Sequence, residues 1–275
     1  MSRLSLFHCS DLHFGHPAVP AQYEALEALI QERRYDVVAI SGDLSQRARA
    51  GEFQRARVFI QRAERVSRVI VVPGNHDVAW WFSPLRLGSE RALLHKYRTY
   101  ISDDIEPVLR VPGAVIAGLN TSHGVLLETL TWNPRDISII GHVGADQLDR
   151  LRTTFADAAA GDLRVVVMHH NPVKGELSQR HGIKHTTRVL GEFAEMGVDL
   201  VLCGHDHQEA VHFVEHTRKG TVISTAGTVS NRSRGGRPSS VNSIQVSDDA
   251  MEVTTLIWSD TDRAFTPGPV QRFPR

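Results

Sequence analysis

Several things are scarce in this chain, and each scarcity removes a class of function. Two cysteines in 275 residues, Cys9 and Cys203, are too few for a disulfide framework. Both end apolar runs, so they are expected to be reduced core thiols rather than ligands. No apolar run approaches the roughly 18 residues that a membrane span requires. The stretch from Met1 to Cys9 carries no basic region, long apolar segment or cleavage motif. The expectation is therefore a cytoplasmic protein with no membrane span. Net charge is also missing, since 31 Lys and Arg balance 31 Asp and Glu, and no overall field draws in a nucleic-acid polymer. There is no internal repeat or linker, and no Ser or Cys elbow that would act as a covalent nucleophile.

What remains, at 41% hydrophobic and 23% charged residues, reads as one ordinary globular α/β domain. Apolar runs at Leu4 to Cys9, Asp36 to Ser41 and Val69 to Val72 are separated by amphipathic stretches at Ala21 to Arg34 and Gly51 to Val66. That βαβαβ order predicts parallel strands with their C-terminal ends aligned on one edge. The β-branched run at Val69 to Val72 predicts a strand covered on both faces. Further strands are expected at 108–111, 115–119, 163–168 and 198–203, with helices at 89–101, 144–160 and 186–196. After residue 210 come short strands without helices, at 210–215, 221–226, 241–246 and 251–258, and alternation such as Val253, Thr255, Ile257 suits a second, more antiparallel sheet. The three prolines after Thr266 suggest a surface or frayed tail. The domain is thus expected to span residues 1–259, with a C-terminal tail at 260–275.

Histidine stands out at fifteen residues, and its distribution matters more than its number. Five strand ends deliver polar clusters in order: Asp11-Leu-His13, Gly42-Asp43, Gly74-Asn-His-Asp77, His169-His170 and Gly204-His-Asp-His207. Carboxylate, imidazole and amide oxygen suit Mn, Fe(II) or Zn, and there are too many candidates for one ion. Two ions sharing a carboxylate would use them all. Asp43 is the natural bridge, because its strand should lie between the other two N-terminal strands. Asp11 and His13 can chelate one ion, while His205 and His207 can divide between the two. Two divalent ions against two aspartates leave positive charge in excess, which suits an anionic substrate such as a phosphate ester.

The motifs Ser10-Asp-Leu-His13, Ser41-Gly-Asp-Leu44, Val72-Pro-Gly-Asn-His-Asp-Val78 and Gly204-His-Asp-His207 resemble those of the calcineurin-like metallophosphoesterases. Within that family they look most like the bacterial class III cyclic nucleotide phosphodiesterase branch. The resemblance, which spans Leu4 to about Trp258, implies a four-layer αββα sandwich of two mixed β-sheets flanked by helices. It implies Asp11, His13 and His207 on one metal, Asn75, His169 and His205 on the other, and Asp43 bridging, with His169 preferred to His170. It also implies His76 as an unliganded catalytic histidine facing the phosphate, Asp77 as its orienting partner, and direct hydrolysis by a hydroxide bridging the metals. Members of that branch are often dimers; nothing here demands a homodimer.

Around this set, His170 and Trp80 are candidate substrate contacts with His76, and Trp80, Trp81 and Phe82 suit either a hydrophobic plug or an aromatic rim. His8, His95, His142, His212 and His216 read as structural or surface residues, whereas His16, His123, His181 and His185 lie in loops able to reach a cleft. Arg232, Arg234 and Arg237 could grip a second phosphate, although a solvated loop is the simpler reading. The resemblance favours hydrolysis of small phosphodiesters, of cyclic nucleotide or glycerophosphodiester type. A phosphomonoesterase, a nucleotide or lipid-linked pyrophosphatase, and a catalytically silent metal-binding scaffold are the alternatives.

Overall fold

Alternate residues of the apolar runs face two different cores, and this fixes the layers. The structure, a computed structural model, describes residues 4–79, 89–124, 140–175, 182–216 and 220–275. In chain order these form β1 (Leu4–Cys9), α1 (Pro20–Arg33), β2 (Val37–Ile40), α2 (Ala50–Ala63), β3 (Arg68–Val71), α3 (Glu90–Leu93), α4 (His95–Tyr100), β4 (Val108–Val111) and β5 (Ala114–Leu119). Then follow α5 (Ala145–Ala156), β6 (Leu163–His170), α6 (Thr186–Glu195), β7 (Leu200–Gly204), β8 (Ala210–Val214), β9 (Thr221–Thr225), β10 (Ser240–Val246), β11 (Ala250–Ser259) and β12 (Ala264–Pro274).

In β1, Leu4 and Leu6 enter one buried cluster while Phe7 and Cys9 enter another; in β6, Val165 and Val167 part from Val166 and Met168 in the same way. The shared cluster lies between two six-stranded mixed sheets, ordered β12-β11-β10-β1-β2-β3 and β4-β5-β6-β7-β9-β8. The outer cluster of the first sheet holds Leu26, Phe53, Phe59 and Tyr97 from α1, α2 and α4. That of the second holds Leu148, Phe155 and Phe193 from α5 and α6. The result is the expected four-layer αββα sandwich. Full burial of each such large apolar side chain contributes about 1.5–3 kcal/mol.

Local signals set the helix ends. Pro20 occupies the first turn of α1, where its missing N–H would have no partner, and Arg34 closes the helix in a left-handed conformation. At the start of α2 the Glu52 carboxylate accepts hydrogen bonds from the Arg47 and Arg49 N–H groups at 2.8 and 3.2 Å.

Two sequence expectations need correction, whereas the run at Val69 to Val72 is covered on both faces as expected: Ile70 and Val72 enter the inter-sheet cluster and Val69 and Val71 pack in the outer one, although β3 is an edge strand. The late strands do not form a sheet of their own: β8 and β9 extend the second sheet, β10 and β11 the first, and β9 runs parallel to β7. The proline-rich segment is no tail, because β12 pairs antiparallel with β11 from Ser259↔Ala264 to Ala250↔Pro274. Its place at the sheet edge explains the prolines, whose missing N–H groups are tolerated on a strand with one free side. Trp80, Trp81 and Phe82 lie outside the described residues. Both cysteines are buried and free. Among the described residues no helix is long and apolar enough to cross a membrane.

Candidate metal centre

The loops after β1, β2 and β3 are stitched together before any side chain is considered. The parallel pairing of β1 and β2 continues into their loops through Ser41 N–H to Cys9 O, Asp11 N–H to Gly42 O, His13 N–H to Asp43 O and Phe14 N–H to Leu44 O, all between 2.8 and 3.1 Å. The loop after β3 is tied in by the Asp77 carboxylate. Its Oδ2 accepts from Leu44 N–H and Gly74 N–H at 3.1 and 3.0 Å, and its Oδ1 accepts from Ser45 N–H and Oγ–H at 2.8 and 2.9 Å. Glycine is required where these loops meet. A Cβ on Gly74 would collide with the Asp43 carboxylate and backbone, and one on Gly204 with the Ser10 hydroxyl and the Asp11 carboxylate.

Five strand ends bring seven side chains to one point. Asp43 Oδ1 accepts from His76 N–H at 2.8 Å, which aims Oδ2 inward, 3.9 Å from His13 Nε2 on one side and 3.4 Å from His169 Nε2 on the other. Asp11 Oδ2 accepts from His205 N–H at 2.9 Å, which turns Oδ1 toward His207 Nε2 at 3.0 Å and His13 Nε2 at 3.7 Å. Asn75 Oδ1 stands 3.0 Å from both His169 Nε2 and His205 Nδ1. The far ring nitrogens are fixed from behind: His169 Nδ1 meets the Ser41 carbonyl at 2.8 Å and His207 Nδ1 the Arg232 carbonyl at 3.0 Å. These second contacts leave Nε2 of each ring to face the cluster.

The backbone is strained at this point. Asp11, His13, Asp43, His205 and His207 all have positive φ, between 46° and 73°. For non-glycine residues that conformation costs about 1 kcal/mol or more each, and it clusters at functional sites.

Neighbouring charges set the protonation of these buried groups. Burial raises the Asp43 carboxyl, but His169, His76 and His13 together bring it well below the usual carboxylate range. Asp11 is lowered in the same way, burial being outweighed chiefly by His207. Burial pulls His205 down to about 3, helped by His169, and takes His13 well below its ordinary value. His169 is the exception: the Asp43 charge and hydrogen bond overcome burial and push it up to about 9. The cluster therefore holds two ionised carboxylates and mostly neutral imidazoles, and a cation binding at His169 would displace a proton.

The donor set fits two divalent transition ions. Carboxylate and imidazole atoms of Asp11, His13, Asp43 and His207 lie within 4.8 Å of one another, as do imidazole atoms of His169, His170 and His205. Asp11 Oδ1 is buried without a hydrogen bond of good geometry despite His207 Nε2 at 3.0 Å, so protons alone do not satisfy it. The separations of 3.0–3.9 Å resemble the edges of a coordination shell whose bonds are about 2.0–2.2 Å. Oxygen and imidazole donors without thiolate suit Mn, Fe or Zn.

Two expectations about this loop set are revised. Asp77 does not orient His76, because all its contacts go to the backbone and hydroxyl groups that hold the loops. Burial, then the Asp43 charge, push the Asp77 carboxyl up to about 7, against the bonds from Gly74 and Ser45 that hold it down. The group that orients His76 is instead the Gln46 carbonyl, which accepts from Nδ1 at 2.8 Å. The other ring nitrogen, Nε2, accepts from the Arg232 guanidinium at 3.2 Å, and the same Arg232 Nη1 donates to Gln46 Oε1 at 3.0 Å. Burial, opposed by Asp43 but reinforced by Arg232, lowers His76, which is a neutral imidazole in this arrangement rather than a resident proton donor. The His76 ring packs edge-on against His13 at 4.9 Å between centroids. His170 sits one layer behind, with its Nδ1 2.7 Å from Thr121 Oγ1 and its ring centroid 4.5 Å from that of His205. Trp80 and His181 lie outside the described residues.

Gln46 and Thr121 were not anticipated at the site, and Arg232, weighed as a phosphate grip against a solvated loop, stands beside His76. Arg232 had a legible signal: it follows β9, and a β9 parallel to β7 sends its outgoing loop to the same edge as His205 and His207.

A four-layer sandwich of two mixed sheets, with aspartate, asparagine and histidine converging from its parallel strand ends, defines a metallo-dependent phosphatase architecture. A model of the calcineurin-like phosphoesterase family matches residues 4–209, and the chain belongs to that family. It is 25% identical over 236 residues to a protein of Synechococcus sp. named as a probable cyclic nucleotide phosphodiesterase, an alignment covering 85% of this chain and 80% of that one. Among solved structures, a dimetal phosphatase from Danio rerio superposes with a TM-score of 0.67 at 12% identity, covering 100% of this chain and 99% of the other. A purple acid phosphatase from yellow lupin, Lupinus luteus, gives 0.71 at 10% identity over 99% of this chain, which spans 54% of the lupin protein's length.

Proposed function

We propose that the protein is a binuclear-metal-dependent phosphodiesterase acting on small anionic diesters of the cyclic nucleotide or glycerophosphodiester type. The observation that carries this reading is the position of Asp43 Oδ2 between His13 Nε2 and His169 Nε2, one carboxylate serving two converging donor groups. Asp11, His13 and His207 would hold one ion, and Asn75, His169 and His205 the other. Two such ions would supply a water nucleophile active near neutral pH and a clamp on the phosphoryl oxygens. The remaining chemistry belongs to the chain. Gln46 fixes the His76 ring so that Nε2 faces the substrate side, and the Arg232 guanidinium beside it neutralises phosphate charge. An arriving phosphate draws Arg232 away and raises the proton affinity of His76, so that Nε2 can hold a proton and pass it to the leaving alkoxide.

Arg232 also gives some support to a second reading. A fixed cation near the phosphate favours a doubly charged phosphomonoester or a pyrophosphate over a singly charged diester. The test is a panel of bis(4-nitrophenyl) phosphate, 4-nitrophenyl phosphate, cyclic nucleotides, glycerophosphodiesters and nucleotide diphosphates, assayed with Mn, Fe and Zn separately. Diesters are expected to lead in kcat/KM by about tenfold or more. Leading monoesters or diphosphates would move the assignment to the second reading, and no turnover of any ester with any metal would remove it.

A further inference from the structure

Beside the metal centre lies a pocket of about 10 Å³ lined by Asn75, Thr121, Ser122, His123 and His170, with aliphatic side chains closing it. That is close to the space one water or one hydroxyl group fills. Three polar atoms of its lining residues have no hydrogen-bond partner: His170 Nε2, Ser122 Oγ and His123 Nε2. His170 is 1% and Ser122 3% exposed, so bulk water does not serve them. Buried polar atoms are almost always paired, and three orphans around one small pocket mark a place shaped for a polar group.

The polarity of the walls says which group. Thr121 Oγ1 accepts from the His170 backbone N–H at 3.3 Å and stands 2.7 Å from His170 Nδ1. Its own proton has no other acceptor among the hydrogen bonds of the described residues, so it goes to Nδ1 and leaves the His170 ring proton on Nε2. His123 Nδ1 lies 3.0 Å from Glu90 Oε2, an acceptor, so Nδ1 carries a proton and, in the neutral ring, Nε2 is the acceptor. The Ser122 hydroxyl can turn to serve either way. One donor, one acceptor and one hydroxyl complement a single hydroxyl group, which both donates and accepts. They do not match a phosphate oxygen, which only accepts, or an ammonium, which only donates.

Asn75 connects the pocket to the chemistry, since it lines this wall and also faces His169 and His205 at 3.0 Å. We infer that the pocket is a hydroxyl subsite selecting phosphoesters of vicinal diols. The free hydroxyl sits among His170, Ser122 and His123 while the ester oxygen on the adjacent carbon lies at the metal centre. Ribose and glycerol both carry such a hydroxyl. The inference rests on the phosphoesterase reading above and narrows its substrates.

The experiment measures binding as well as turnover. Calorimetry on the Mn-loaded full chain compares glycerol 3-phosphate with 3-hydroxypropyl phosphate, and adenosine 3′-phosphate with its 2′-deoxy counterpart. Bis(4-nitrophenyl) phosphate, which has no hydroxyl, reports the basic reaction. The member of at least one pair that carries the hydroxyl on the carbon adjacent to the ester is expected to bind about tenfold tighter or more, since a site built to hydrogen-bond a hydroxyl rejects the analogue lacking it. The discriminating pair identifies glycerol or ribose as the source. In the Ser122→Ala and His123→Gln variants the ratio should fall several-fold. Equal affinity within both pairs, absence of binding by all four ligands, or a preference that both variants leave intact overturns the subsite. Turnover of the nitrophenyl diester without discrimination removes the subsite and keeps the phosphoesterase; discrimination without turnover does the reverse.

Discussion

Around Asp43 Oδ2, one side of the centre is built from Asp11, His13 and His207 and the other from Asn75, His169 and His205, and the two sides differ in charge and setting. The first contains a second carboxylate, and its Asp11 and His13 are 0% exposed on loops zipped by the extended β1 and β2 pairing. The second replaces that carboxylate with a neutral amide, Asn75, and borders the small hydroxyl-sized pocket. Hard divalent ions bind more tightly where anionic oxygen is denser. On the proposed two-ion reading the centre is asymmetric: the Asp11 half would retain its ion and the Asn75 half would meet substrate.

Breaking the shared element should have the largest effect. Asp43→Ala is expected to lose both ions and at least about 10³ in kcat, measured by elemental analysis beside an ester assay. Retention of one tightly held ion would break the shared-carboxylate picture. The two halves can then be set against each other. Asn75→Ala should keep one ion and lose about 10² in kcat, whereas Asp11→Ala should lose the tighter ion and more activity. The reverse order in a metal titration would invert the comparison. His76→Ala, which touches neither half as a proposed ligand, should keep both ions and lose about 10² in turnover. A fall in metal content there would place His76 among the ligands. Smallest is Arg232→Ala, with about a tenfold loss expected, mostly in KM and larger for monoesters than for diesters. An unchanged KM for every substrate would show that the guanidinium only braces Gln46 and His76.

The seven residues of the two halves were legible in the sequence because each follows an apolar run where a polar side chain has no core role. Their convergence follows from parallel strands ending on one edge. The supporting contacts were less visible, for three physical reasons. His76 is held by the Gln46 carbonyl, and backbone acceptors carry no residue-type signal. Asp77 sits beside His76 in sequence, yet the turn through Asn75 points its carboxylate back to the Leu44, Ser45 and Gly74 amides. Arg232 lies in a Gly, Ser and Arg-rich stretch that resembles any solvated loop until β9 is known to run parallel to β7. β12 was hidden because proline argues against an internal strand but is compatible with an edge one.

The positive φ angles of Asp11, His13, Asp43, His205 and His207 have a consequence for how this chain can drift. Each position would be relaxed most by glycine, although aspartate and histidine are, with asparagine, the side chains that tolerate this conformation best. Selection for the proposed ions would hold the aspartates and histidines in place against that relief. A descendant freed from catalysis would gain stability by shedding them while its two sheets stayed intact. Glycine or asparagine appearing together at 11, 13, 43, 205 and 207 would therefore identify a relative that has kept the fold and given up the reaction.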